Sequence, residues 1–308
     1  MPMNGRSNAA VSRGQGDAHP ATRTMAGIGL VLLAILLFTV MDTIGKGLTA
    51  RYPVPQVVWA RYFFQFALML LLIPRVGIVD LVRTARPGTN LVRGLLLAAS
   101  TICMIGAISF VPLADAYTIT FTAPLLVTVF SIPLLGERVG WRRWSAVLAG
   151  FAGVLIVIRP GFGMTHWALA LPLITALGFA LYQILTRKVS GAPGESSLAM
   201  LFYVACVGTA IMTALVPFFW RTVAAMDWAA MTAMGALGGV GHLILIRALT
   251  ITPASLLAPF IYTQIVWALL LGYLVFGDVP NRWMLAGCGV IVASGLFVFY
   301  REAMLGKS

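Results

Sequence analysis

VPLADAYTITFTAPLLVTVFSIPLLGE, residues 111–137, and TPASLLAPFIYTQIVWALLLGYLVFGD, residues 252–278, follow one pattern at a shift of 141 residues. Each opens on a proline, Pro112 or Pro253, and closes on glycine followed by an acid, Gly136-Glu137 or Gly277-Asp278. Each carries a second proline and threonines inside an apolar run, Thr122 and Pro124 in one, Pro259 and Thr263 in the other. Outside these stretches the same shift superposes Phe38 on Phe179, Tyr62 on Tyr203, Gly94 on Gly235, Ile105 on Ile246 and Ala107 on Ala248. Isolated identities arise readily between apolar sequences. The matched proline and glycine-acid turns carry the comparison.

The surrounding chain explains what kind of element repeats. Of 308 residues, 60% are hydrophobic and only 10% charged, where a soluble domain carries roughly a quarter charged residues. The mean hydropathy is +0.95. Apolar blocks fall at about 25–46, 54–74, 90–110, 112–135, 142–158, 166–187, 196–219, 228–249, 253–276 and 282–300, most of them close to the ~20 residues that cross a ~30 Å hydrocarbon core. Turn signals such as Arg86-Pro87-Gly88, Arg159-Pro160-Gly161 and Gly191-Ala192-Pro193-Gly194 separate them. The expected fold is an all-α integral membrane protein of about ten transmembrane helices.

The repeat pairs spans one to five with spans six to ten. Five is odd, so consecutive copies sit upside down relative to each other. Two inverted-topology five-helix repeats are therefore expected, at residues 25–160 and 161–301, with cytoplasmic tails at 1–24 and 302–308. This is an architecture of secondary transporters, whose substrate site lies between the halves near the midplane. Basic residues crowd one side, including Arg75, Arg83, Arg86, Arg93, Arg138, Arg142 and Arg143, against Lys46, Arg51, Arg159 and Arg221 on the other. The positive-inside rule then puts both termini in the cytoplasm, and the expected location is the cell inner membrane.

The formal net charge is +12. It is scattered through short loops instead of massed on one patch, which reads as topology-setting charge and excludes nucleic acid as the expected partner. Cys103, Cys206 and Cys288 lie in apolar segments and read as packing residues. They form neither a disulfide framework nor a CxxC metal pair. The 25–44 block is long for a signal peptide and reads as the first membrane span.

The paired endings Pro124 to Gly136-Glu137 and Ile265 to Gly277-Asp278 each precede a Gly/Ala-rich last helix. These contain Ala149-Gly150-x-x-Gly153 and Ala286-Gly287-Cys288-Gly289. In these features the chain resembles the drug/metabolite transporter superfamily, in its EamA-type ten-helix form, over nearly everything beyond residue 25. Met41-Asp42-x-x-x-Lys46 and Gln56-x-x-Trp59-x-Arg61-Tyr62 resemble a branch with riboflavin and S-adenosylmethionine uptake carriers. The resemblance implies a secondary carrier with a central cavity lined by spans 1, 3, 4, 6, 8 and 9.

Ionisable groups inside a bilayer cost ~2.5–3.5 kcal/mol each on insertion scales, so each calls for a reason. Asp42 lies near the end of span 1, with Lys46 one turn on along the same face. Arg61 lies at matching depth on the adjacent antiparallel span 2, and the two are expected to face each other, as a gate or as a fixed ion pair. Asp115 opens span 4, where an acid complements a helix N-terminus or couples a proton. Tyr117, Thr118 and Thr122 beside Pro124, and Tyr262 and Gln264 beside Pro259, are cavity candidates, since a proline frees a carbonyl that neighbouring polar groups accompany. Tyr182 and Gln183 occupy the positions of Met41 and Asp42 in the second half, and could stack on and hydrogen-bond a planar substrate. His242, the one histidine within an apolar block, and Trp267, inside span 9, complete the candidates. The glycine run Gly235-x-x-Gly238-Gly239-x-Gly241 reads as a surface for close helix contact.

The nine acids are dispersed, and no HExxH, GxSxG or GxxxxGK[ST] occurs. A membrane enzyme acting on a lipid or small metabolite is the alternative, and it has no visible nucleophile, base or metal set. The expected function is secondary transport of a small organic metabolite (amino acid, vitamin or nucleoside-like) by alternating access. No cofactor or metal is expected. The partners are the substrate and the lipid bilayer, with protons or a counter-substrate as candidate coupling species, and the chain is a monomer or homodimer.

Overall fold

The computed structural model describes residues 20–71, 73–135, 141–159, 166–189, 195–252, 257 and 260–305. The Gly136-Glu137 turn, Pro253, Pro259 and most of the N-terminal tail lie outside them. Among the described residues every regular element is helical and no strand occurs. The helices are α1 (Pro20–Thr49), α2 (Val54–Leu70), α3 (Pro87–Ile108), α4 (Leu113–Thr120), α5 (Ala123–Leu135) and α6 (Trp141–Ile158), followed by α7 (Leu171–Val189), α8 (Ser197–Leu215), α9 (Ala225–Ile251), α10 (Gln264–Leu271) and α11 (Arg282–Leu305). Two short helical turns, Ile73–Val76 and Ile78–Val82, join α2 to α3.

Among the described residues seven stretches are long and apolar enough to cross a membrane: Thr24–Thr49, Val54–Arg75, Pro87–Ile108, Leu113–Leu134, Trp167–Thr186, Leu198–Phe219 and Ala225–Ala248. Three shorter apolar helices, Trp144–Ile158, Gln264–Phe276 and Arg282–Phe297, occupy the fifth, ninth and tenth predicted spans. The chain is a multi-pass membrane protein.

Prolines set many of the boundaries. Pro53 precedes α2, Pro87 opens α3 and Pro112 precedes α4, positions where a missing N–H costs nothing. The fourth span is broken at Phe121-Thr122, between α4 and α5. Pro124 has no N–H for the Thr120 carbonyl and its ring crowds that oxygen, so the backbone tightens one turn earlier. The Thr122 N–H then donates to the Ile119 carbonyl at 3.1 Å. The ninth span is broken at the equivalent Tyr262-Thr263, where the Thr263 N–H donates to the Phe260 carbonyl, also at 3.1 Å. In both turns the threonine hydroxyl donates to the same carbonyl, at 2.8 Å for Thr122 and 2.6 Å for Thr263. Beyond α10 a π-helical turn, Gly272–Phe276, ends on Gly277 at φ 71, a left-handed conformation that suits glycine.

In lipid, helices gain little from burying apolar surface against each other, and close backbone approach does more of the packing. α9 lies across α1 and α2 through its glycines. A Cβ on Gly235 would stand 2.3 Å from Cβ of Phe64, and one on Gly241 2.8 Å from the Phe38 ring. At the other side of the bundle α6 packs on α11, where a Cβ on Gly287 would meet the Gly153 carbonyl at 2.6 Å. α3 packs on α7 and α8, α2 on α8, α10 on α1 and α4, and α5 on α7. Met41, Tyr62, Ile105, Tyr117, Met234, Ile265 and Ile291 share the main core.

Candidate functional site

The core contains charge. Asp42 in α1 is buried, and its Oδ2 accepts a hydrogen bond from the Tyr117 hydroxyl of α4 at 2.5 Å. The Gln264 side chain of α10 reaches the same hydroxyl. Arg61 in α2 brings Nη1 to 3.8 Å from Asp42 Oδ1, an ion pair longer than a hydrogen bond. Asp42 Oδ1 and Arg61 Nε are both buried without a hydrogen-bond partner. Next to them the Tyr62 hydroxyl and Thr101 Oγ1 share a hydrogen bond of 2.8 Å. One cluster thus draws side chains from α1, α2, α3, α4 and α10.

His242 stands beside this cluster without joining it. Its Nδ1 lies 2.7 Å from the Gly238 carbonyl of its own helix, and its ring meets Phe38 edge-on at 4.8 Å.

A second buried cation was not singled out from the sequence. Arg93, expected among the topology-setting charges, is fully buried between α3 and α7. Its Nε donates to Thr186 Oγ1 at 2.8 Å and its Nη2 to the Tyr182 hydroxyl at 3.3 Å, while Nη1 donates to Asn90 Oδ1. Tyr182 is therefore held by Arg93, and Gln183 beside it is half-buried. Charge at a helix start does not reveal burial. The available signal was Asn90 one turn before Arg93, opposite Tyr182 and Thr186, which are themselves one turn apart.

Polar contacts close both ends of the molecule. At one end Lys46 pairs with Asp278 at 2.7 Å and lies over the Phe276 ring. Arg51 Nη1 and the Tyr52 hydroxyl both donate to Asp227 Oδ2, at 2.9 and 2.6 Å. Gln56 exchanges hydrogen bonds with the Arg221 backbone, at 2.8 and 3.0 Å. Lys46 thus does not join Asp42, although one turn separates them on α1, because the acid beyond α10 takes its ammonium group. Asp115 opens α4 beside this pair and lines, with Asp278 and Asn281, a cavity of about 50 Å³.

At the opposite end Glu195 Oε1 accepts from Thr84 Oγ1 at 2.6 Å and from the backbone N–H groups of Ala85 and Arg86 at 2.8 and 2.9 Å. Asn90 Nδ2 donates to its other oxygen at 3.3 Å. Partial desolvation raises the Glu195 pKa, but these four donors outweigh it and hold the carboxyl below its ordinary value.

The remaining candidates are placed less centrally. Thr118 is buried with Oγ1 unsatisfied by oxygen or nitrogen. Thr122 spends its hydroxyl on its own backbone. Tyr262 packs its ring 5.2 Å from that of Phe121. Trp267 is not at the polar cluster; it packs with Val31, Ile35 and Leu257 in a separate apolar group.

The EamA-like transporter family model matches twice, over residues 25–159 and 166–300. The chain is 27% identical to the S-adenosylmethionine uptake transporter of Rickettsia bellii over 276 residues, 90% of this chain and 94% of that one. It is 26% identical to the riboflavin transporter of Rhizobium johnstonii, over 91% and 93% of the two chains. It is 28% identical to a pseudopaline exporter of Pseudomonas aeruginosa, over 87% and 94%. A solved crystal structure, 18% identical, superposes with a TM-score of 0.61 over 91% of this chain and 99% of its own, which supports the fold alone. These named relatives are transporters of small metabolites, not enzymes. With both matches together spanning nearly all of the chain beyond the N-terminal tail, this protein belongs to the EamA-like transporter family.

Proposed function

We propose that the protein is a secondary carrier that moves a small organic metabolite by alternating access. It would use ten spans in two inverted halves, residues 25–160 and 161–301, with both termini on the cytoplasmic side of the inner membrane. The observation that carries this reading is the buried Asp42–Arg61–Tyr117–Gln264 cluster, which draws on both halves and is sealed at both ends by polar contacts.

The packing supports inversion. Under the 141-residue shift α1 exchanges with α7, α2 with α8, α3 with α9, α4–α5 with the broken ninth span, and α6 with α11. The contact of α1 with α9 then becomes that of α7 with α3, and α2 with α9 becomes α8 with α3. The two closures exchange as well. At one end the α1–α2 loop meets the α8–α9 loop, and at the other the α7–α8 loop meets the α2–α3 loop. Interchanging two such halves would open one closure while keeping the other, which is what alternating access needs.

The relatives make S-adenosylmethionine, riboflavin and pseudopaline the first substrates to try, together with amino acids and nucleosides. The test is flux into proteoliposomes. Saturable uptake of one labelled compound, blocked by excess unlabelled compound, supports the carrier. Uptake linear in concentration and insensitive to competitor for every compound would overturn it. Repeating the assay with and without a pH gradient tests proton coupling.

A further inference from the structure

We propose that the corner of the bundle where α6 ends and α11 begins holds the phosphate of an anionic phospholipid, between Arg159 and Arg282 at the Trp283 ring. The site needs only the multi-pass architecture, whichever side of the membrane this end faces.

Backbone and ring geometry mark the place. α6 ends at Ile158, and Arg159 follows it at φ 49, among the described residues the one non-glycine residue with a positive φ. Helices commonly end on glycine at that position, because a Cβ is disfavoured in the left-handed conformation. An arginine held there stores strain, and such outliers gather at functional positions. Its guanidinium lies over the Trp283 ring, 4.8 Å from the ring centre, and that of Arg282 lies over the same ring at 5.3 Å. A cation that merely anchors a helix end extends into water. These two converge on one indole instead, where their like charges oppose each other and an anion between them relieves both.

The segments that meet here carry no acid of their own. No Asp or Glu occurs from 138 to 194 or from 279 to 301, and Asp278, just before α11, is paired with Lys46. The first turn of α11 holds no acid either, so the positive end of its dipole adds to the two guanidiniums. Guanidinium groups take phosphate oxygens through paired N–H bonds. Trp283 is a side chain suited to the headgroup level of a membrane. Leu155, one turn before Arg159, and Leu285, one turn beyond Arg282, are both exposed, so apolar surface continues from the charges along both helices. A free phosphate would use the charges alone. A phospholipid uses the charges, the interfacial ring and the apolar surface together.

The experiment uses the full chain, purified in detergent. Phosphatidylglycerol and phosphatidylcholine with the same acyl chains are titrated in, and binding is followed by thermal shift and native mass spectrometry. Glycerol 3-phosphate serves as the headgroup without its chains. Phosphatidylglycerol is expected to bind on the order of tenfold to thirtyfold more tightly than phosphatidylcholine, and Arg159→Gln and Arg282→Gln should each cut that preference by roughly fivefold. Arg75→Gln, which removes an exposed cation elsewhere, should leave it unchanged. Arg159→Gly removes the charge but suits the backbone, so it should lose the preference without lowering the melting temperature, and it serves if Arg159→Gln does not fold. Equal affinity for the two lipids overturns the site, and so does an undiminished preference in the Arg159 and Arg282 variants. A loss in Arg75→Gln as large as in Arg282→Gln would reveal diffuse attraction to the basic surface and overturn it too. Glycerol 3-phosphate binding as tightly as phosphatidylglycerol would make this a free-phosphate site and overturn the lipid.

Discussion

Two buried arginines carry the residue-scale lessons. Asp42 and Arg61 could be brought level from sequence, because depth along two adjacent antiparallel helices is simple counting at 1.5 Å per residue. Their side chains stand 3.8 Å apart. The length of that contact and its unfilled atoms were not legible, since they depend on where Tyr117 and Gln264 arrive from other helices. Asp42→Asn is expected to abolish saturable transport and to lower the melting temperature moderately, because the Arg61 guanidinium loses its counter-charge while the Tyr117 hydroxyl keeps an acceptor. A large fall in melting temperature with transport retained would make the pair a structural tie. Arg93 is the opposite case, since its partners Thr186 and Tyr182 lie some ninety residues away in sequence and only Asn90, one turn before it, hints at a buried polar contact. Arg93→Ala is expected to destabilise by roughly 1–3 kcal/mol, because Asn90 and Tyr182 lose their partner in a dry site. Thermal unfolding in detergent measures this, and a change within experimental error would refute it.

At the scale of elements, composition showed where the helices are and glycine showed how they touch, but not which side of each glycine is crowded. Gly235 and Gly289 look alike in sequence. A Cβ on Gly235 would run into Phe64 and the Gln65 backbone, whereas one on Gly289 meets nothing within 4 Å. Gly235→Ala should therefore cost about 1–3 kcal/mol through overpacking. Gly289→Ala should be neutral or stabilise by up to about 1 kcal/mol through helix propensity. Equal effects on melting temperature would show that α9 is not seated on α2 as described.

The loop contact of Glu195 gives a pH dependence. Its folded pKa is lowered, so the stabilisation is present above the ordinary value of 4.5 and is lost as pH falls through the folded value. The difference in melting temperature between the wild type and Glu195→Gln should be greatest above pH 4.5 and vanish in stronger acid. A difference that grows on acidification would contradict it.

At the scale of the whole molecule, the proposed inversion is an inference from sequence, drawn from an odd number of expected spans per repeat. The partners at each closure were not legible, because loop residues such as Tyr52 and Thr84, and Asp227 in the first turn of α9, carry no periodic signal. In a background with Cys103, Cys206 and Cys288 replaced, short thiol cross-linkers between cysteines at positions 46 and 278, or at 84 and 195, should each stop transport. Undisturbed flux with either link complete would show that the end in question does not open.

The contact between Phe121 and Tyr262 has its own bearing on that motion. These residues are 141 positions apart, so under the proposed inversion each is the other's image, and their rings meet at 5.2 Å. When the halves trade conformations, contacts such as α1 with α9 are replaced by their counterparts elsewhere. A pair that maps onto itself has no counterpart to be exchanged for. It can persist unaltered through the cycle, a fulcrum about which the two closures swing in turn.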